Sequence, residues 1–120
     1  MTKTVQHKEE RAMKTLEATR RNCQQMVGKF PEGSSQHSLL RNRIQALLVA
    51  ETALQSEVSS LPLSPEELTE ALPPLYSIIR KCRKGQEKHE VESATYQRLQ
   101  GIIEAMETAV VKIEASVEEA

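Results

Sequence analysis

Apolar residues recur along this chain at spacings of three and four, the period of a helix that buries one face. Four such stretches are separated by turn chemistry. The first, over about residues 3–29, carries Val5, Ala12, Leu16, Thr19, Cys23, Met26 and Phe30 on one stripe, widened by Met13 and Val27. Its early part is thinly apolar and has Glu9 on the stripe, which predicts an edge helix. Phe30-Pro31-Glu32-Gly33-Ser34-Ser35 closes it, because proline cannot continue the hydrogen-bond ladder and serine offers an N-cap hydroxyl to the next helix.

The second helix is predicted over about residues 36–59 and should be the most buried. Leu40, Ile44, Leu47, Leu54, Val58 and Leu61 keep a/d spacing, interrupted by Glu51, while Leu39, Leu48 and Val49 broaden the face. Ser64-Pro65-Glu66-Glu67 then combines an N-cap hydroxyl, a proline at the first helical position and carboxylates at the positive helix end. A third helix follows over about residues 65–84, with Leu68, Leu72, Leu75, Ile79 and Cys82 on one face. Pro73-Pro74 removes two amide donors, and because the apolar phase survives it a kink is expected there.

Arg80-Lys81-Cys82-Arg83-Lys84-Gly85 reads as a helix end, with cations at the negative pole of the dipole and glycine to cap. A shift of apolar phase across residues 85–93 marks a break. The fourth helix is predicted over about residues 87–116, opening on Glu87, Glu90 and Glu92. It continues through Leu99, Ile102, Met106, Ala109, Ile113 and Val117, with Ile103, Val110 and Val111 alongside. No internal repeat at the spacing of solenoid proteins is evident. Four helices of similar length with short connections predict an all-α, up-down-up-down four-helix bundle in a single domain, residues 1–120. In that topology the basic first helix lies beside the acidic last one.

Composition strengthens the helical reading. All 17 acidic residues are Glu, there is no Asp or Trp, and only four Gly; these choices favour helix and remove the usual carboxylate of magnesium sites and catalytic triads. A net charge of −1 argues against a dedicated nucleic-acid binder. No stretch is long and apolar enough for a signal-peptide core or a membrane span, which points to a soluble, cytoplasmic protein. Cys23 and Cys82 stand far apart without a C-x-x-C, and are expected to be core thiols rather than a disulfide framework.

Known chemical motifs fail on specific residues. Residues 28–34 have the glycine spacing of a phosphate-binding loop, but Ser34 stands where the lysine is needed, so Gly33 reads as a turn residue. No Glu-x-x-His occurs, which removes a di-iron site, and the segment from His89 ends on Ser93 instead of the second histidine of a zinc protease. His37-Ser38-Leu39-Leu40-Arg41 loosely resembles the phosphoacceptor segment of histidine phosphotransfer domains, which would imply an exposed mid-helix histidine. Here His37 falls in a first turn, and Leu40 and Asn42 replace the family's small residues. The bundle topology also gathers Cys23, His37, Cys82 and His89 near one pole, a donor set for zinc only if all four converge.

Arg80, Lys81, Arg83 and Lys84 form a candidate basic interaction patch, reinforced by Lys88, with no aromatic residue interleaved for base stacking. The expectation is a non-catalytic bundle without catalytic residues, cofactor or metal, acting through protein–protein contact that includes self-association. A site-bearing bundle using Cys/His metal binding or phosphotransfer is the alternative, and a nucleic-acid module using the basic cluster stands third.

Overall fold

The computed structural model describes residues 2–55 and 62–119, which form four helices: α1 (Thr2–Val27), α2 (Ser35–Gln55), α3 (Pro65–Gln86) and α4 (Ala94–Glu119). Each helix runs antiparallel to the next. Arg20 of α1 meets Glu51 of α2, Arg83 and Tyr76 of α3 meet Glu107 and Glu114 of α4, and Glu9 of α1 lies 3.9 Å from Lys112 of α4. The chain is therefore an up-down-up-down four-helix bundle. α1 packs beside α4 and α2 beside α3, and α2 also touches α4 across the middle. Small side chains allow that approach, since interaxial distance follows the residues at the contact: Ala46, Ala50 and Ala53 of α2 and Ala105 and Ala109 of α4 are all buried.

Leu16, Leu47, Leu68, Leu75, Met106 and Ile113 are enclosed completely at the centre. Burying each contributes about 1.5–3 kcal/mol, and all four helices supply at least one. Among the described residues α1 gives Ala12, Leu16 and Cys23 as its buried apolar side chains, matching its thin stripe. Val5, Val58 and Leu61, expected on the stripes, lie outside the residues whose side chains are described.

The boundaries depart from expectation in physically clear ways. α4 begins at Ala94 rather than Glu87, because Ser93 caps it: its Oγ accepts the Tyr96 N–H at 3.1 Å, leaving Glu87, Glu90 and Glu92 in the preceding loop. α3 passes through Pro73-Pro74 as one helix. The carbonyls left without partners belong to Thr69 and Glu70, both exposed, so water can satisfy them. At its start, where the sequence predicts an N-cap hydroxyl, Ser64 and Glu67 exchange reciprocal hydrogen bonds of 3.1 Å and form a capping box. Leu39 and Leu48 do not broaden the buried face of α2. Each is turned about 100° from a core neighbour, Leu40 or Leu47, and both remain exposed. Met26, in the last turn of α1, and Val111 of α4 are likewise exposed.

The two hairpins align on one another at a fixed spacing, longer than the solenoid periods, through a set of shared core and loop positions. Each residue of α3–α4 stands 59 positions after its counterpart in α1–α2. The buried pairs Ala12/Ala71, Leu16/Leu75, Cys23/Cys82, Ala46/Ala105 and Ala50/Ala109 are identical, as are Leu40/Leu99 and Ile44/Ile103, while Leu47/Met106 and Leu54/Ile113 are conservative. The loops obey the same spacing. Lys29 and Lys88 donate backbone N–H groups to the carbonyls of Met26 and Gly85, Phe30 and His89 to those of Val27 and Gln86, and Ser34 and Ser93 to those of Pro31 and Glu90. Ser34 Oγ accepts from the His37 N–H at 3.2 Å as Ser93 Oγ does from Tyr96. The α1–α4 and α3–α2 seams are thereby counterparts at this spacing.

Candidate interaction surfaces

The duplicated hairpin is an internal control for every surface feature. Arg80, Lys81, Arg83 and Lys84 are exposed on the last turns of α3, where Arg83 Nη2 is held 2.8 Å from Glu107 Oε2. Their counterparts at the end of α1 are Arg21, Asn22, Gln24 and Gln25. α1 has no basic residue in its last turn, yet its helix persists to Val27. Cations favour a helix C-terminus by about 0.3–1 kcal/mol each, but this hairpin closes without them. The α3 cluster is thus in excess of what the fold requires.

Two seam grooves show the same relation. One, of about 430 Å³ between α1 and α4, is lined on the α1 side by Lys8, Arg11, Ala12, Lys14 and Thr15. The other, of about 360 Å³ between α3 and α2, is lined at the counterpart positions by Glu67, Glu70, Ala71, Pro73 and Pro74. The opposite walls correspond as well: Gly101, Glu104, Ala105 and Thr108 match Asn42, Gln45, Ala46 and Val49. Position is shared between the grooves and the balance of charge is inverted. Three cations and one carboxylate, Glu104, line the first, while the second carries two carboxylates and no cation. Neither rim stood out in the chain read linearly; aligning the halves at the 59-residue spacing makes the sign reversal visible.

The interiors also differ in polarity. Arg20 Nε and Nη2 donate to the two Glu51 oxygens at 2.6 and 3.1 Å, and Nη1 donates to Gln24 Oε1 at 3.2 Å. This forked pair explains the acid that interrupts the α2 stripe, and the hydrogen bond to Glu51 raises the Arg20 pKa above its ordinary value against the cost of desolvation. The counterpart positions hold Ile79 and Val110, both buried. Arg43, 8% exposed, donates from Nη2 to Ser77 Oγ at 3.3 Å, and its Nε has no partner. Its counterpart is Ile102.

Cys23 and Cys82 are buried and unbonded. Burial pushes both thiols above the ordinary value of 9.0, and Arg43 and Lys81 pull each partway back, joined at Cys82 by Arg98. The imidazoles do not join them. His37 sits half-buried in the first turn of α2 and His89 is exposed in the α3–α4 loop. Among the described residues, no three His, Cys, Asp or Glu side chains are placed to share a metal ion. Gly33, at φ 87°, is the turn residue its sequence context predicts.

Compared with known protein families, with characterised proteins and with solved structures, the chain matches none. No helix among the described residues is long and apolar enough to cross a membrane.

Proposed function

We propose that this chain is a non-catalytic binding protein of the cytoplasm, acting through contact with other protein, copies of itself included. The observation that carries the reading is the contrast between the two hairpins. A set of their apolar interior residues repeats, including Ala12/Ala71, Leu16/Leu75, Cys23/Cys82, Ala46/Ala105 and Ala50/Ala109, whereas their exposed charges diverge at the α3 C-terminus and at both seam grooves. Charges that the fold does not need, set on rigid helices, suit recognition of a charged partner and the steering of its approach. A metal or phosphotransfer role finds less support, because His37 lies in a first turn and His89 in a loop, and among the described residues no three metal-binding side chains gather.

Sedimentation of the untagged chain, together with capture from the native host, tests the proposal. The expected result is a mass above the monomer, or a protein retained in stoichiometric amount. A strict monomer that recovers no protein would remove the reading.

A further inference from the structure

We infer that copies of this chain associate head to tail, the basic α1–α4 groove of one copy packing on the acidic α2–α3 groove of the next. The inference rests on the binding role proposed above and names the partner. The two grooves are lined at corresponding positions, and each has alanine on its floor. Helix ridges seat in such grooves when the floor is small, and here it is formed by Ala12, Gly101 and Ala105 in one and by Ala46 and Ala71 in the other.

Charge then selects the pairing. Lys8, Arg11 and Lys14 are exposed and, among the described residues, have no carboxylate within 4.0 Å. Glu67 and Glu70 line the second groove and Glu66 stands next to Glu70 in the adjoining depression on α3; all three are exposed and, among the described residues, have no cation within 4.0 Å. Basic on basic and acidic on acidic contacts are repulsive, so a symmetric dimer through either groove alone is disfavoured. The complementary contact is heterologous, and it propagates into open chains or closes into a ring. Within one copy the two grooves lie on different seams and cannot meet. A nucleic acid would satisfy the basic groove only and be repelled by the acidic one, in a chain whose net charge is −1.

Charge-swap mixing on the full chain tests this by light scattering. One variant carries Lys8→Glu, Arg11→Glu and Lys14→Glu; the other carries Glu66→Lys and Glu70→Lys, sparing the cap residue Glu67. Circular dichroism confirms that each keeps its helices. The wild-type mass should at least double at about 20 mM salt and return to the monomer at about 500 mM, where the screening length is only a few ångströms. Each variant alone should stay monomeric, and the equimolar mixture should regain association, because both of its junctions are again complementary. Reversing Arg21, Lys29 and Arg41 instead, with the same change in net charge as the first variant, should leave self-association intact.

A wild-type monomer at low salt, or a mixture that stays monomeric, overturns the inference. If that monomer still captures a host protein, the binding role survives and only self-association falls. A duplex oligonucleotide retained by the wild type and lost with the first variant would equally overturn it, in favour of a polyanion.

Discussion

Replacing Arg20 and Glu51 with the residues at their counterpart positions, Ile79 and Val110, turns the duplication into a double-mutant cycle. The ion pair is forked, with contacts of 2.6 and 3.1 Å, and its side chains are 19% and 10% exposed. That residual exposure places its rupture below the 3–5 kcal/mol of a fully buried pair. Arg20→Ile strands a nearly enclosed carboxylate and should cost about 2–4 kcal/mol. Glu51→Val should cost less, about 1–2 kcal/mol, because Arg20 keeps Gln24 and its long stem can carry the head outward. The double variant should fall within about 1 kcal/mol of wild type, since an aliphatic pair is what the second hairpin already packs at this site. Urea unfolding followed by circular dichroism reads all four corners, and a constant m-value certifies that only stability has changed. A double variant as unstable as the two singles added together would refute the reasoning, because it would mean that neither the charge pairing nor the structural equivalence holds.

Other consequences follow from the same geometry. Leu16→Ala and Leu75→Ala, at equivalent and fully enclosed positions, should each cost about 2–5 kcal/mol and lie close to one another in urea midpoint. Arg43→Ile installs the counterpart residue and removes an unpartnered Nε, so it should be neutral or stabilising in a thermal melt, where about 1 kcal/mol moves the midpoint by roughly 4 °C. The thiols set an alkaline limit. Their folded pKa values lie above 9.0, so the unfolded chain ionises first, and their contribution to stability is full below about pH 9 and is lost as pH rises through the folded values. Urea midpoints at about pH 8 and 10 should therefore diverge more for wild type than for the variant with Cys23→Ala and Cys82→Ala.

Much of the architecture was legible in the residues themselves. Glu-rich, Asp-free composition and four apolar stripes predict four helices, and Ser64-Pro65-Glu66-Glu67 marks the start of α3 where the capping box forms. The start of α4 was not, because the acids at residues 87–92 imitate the first turn of a helix whose true cap is Ser93. Pro73-Pro74 was legible as a disturbance that a continuing helix survives, and α3 runs through both prolines with Thr69 and Glu70, whose carbonyls lose their partners, on its exposed side. Leu39, Leu48 and Val111 widened the predicted stripes because periodicity alone does not set where a buried face ends. Glu51 looked like a defect in the α2 stripe until Arg20, 31 residues earlier, was seen to meet it. The basic cluster was visible as a run. Its excess over the needs of the helix was not, because that comparison requires the hairpin copy, and the copy is recorded mainly at buried positions where Ala and Leu recur in any bundle.

The central claim is that the fold rests on what the two hairpins share and binding on where they differ. Writing the end of α1 onto α3, as Lys81→Asn, Arg83→Gln and Lys84→Gln, tests it most directly, because α1 already shows that a helix with those residues closes. The exposed Arg83–Glu107 pair and the lost dipole contacts together should cost only about 1 kcal/mol. The account predicts that this variant melts within a few degrees of wild type and no longer retains the protein that the wild-type chain captures from its host. Full retention of that protein, or collapse of the helical signal, would contradict it.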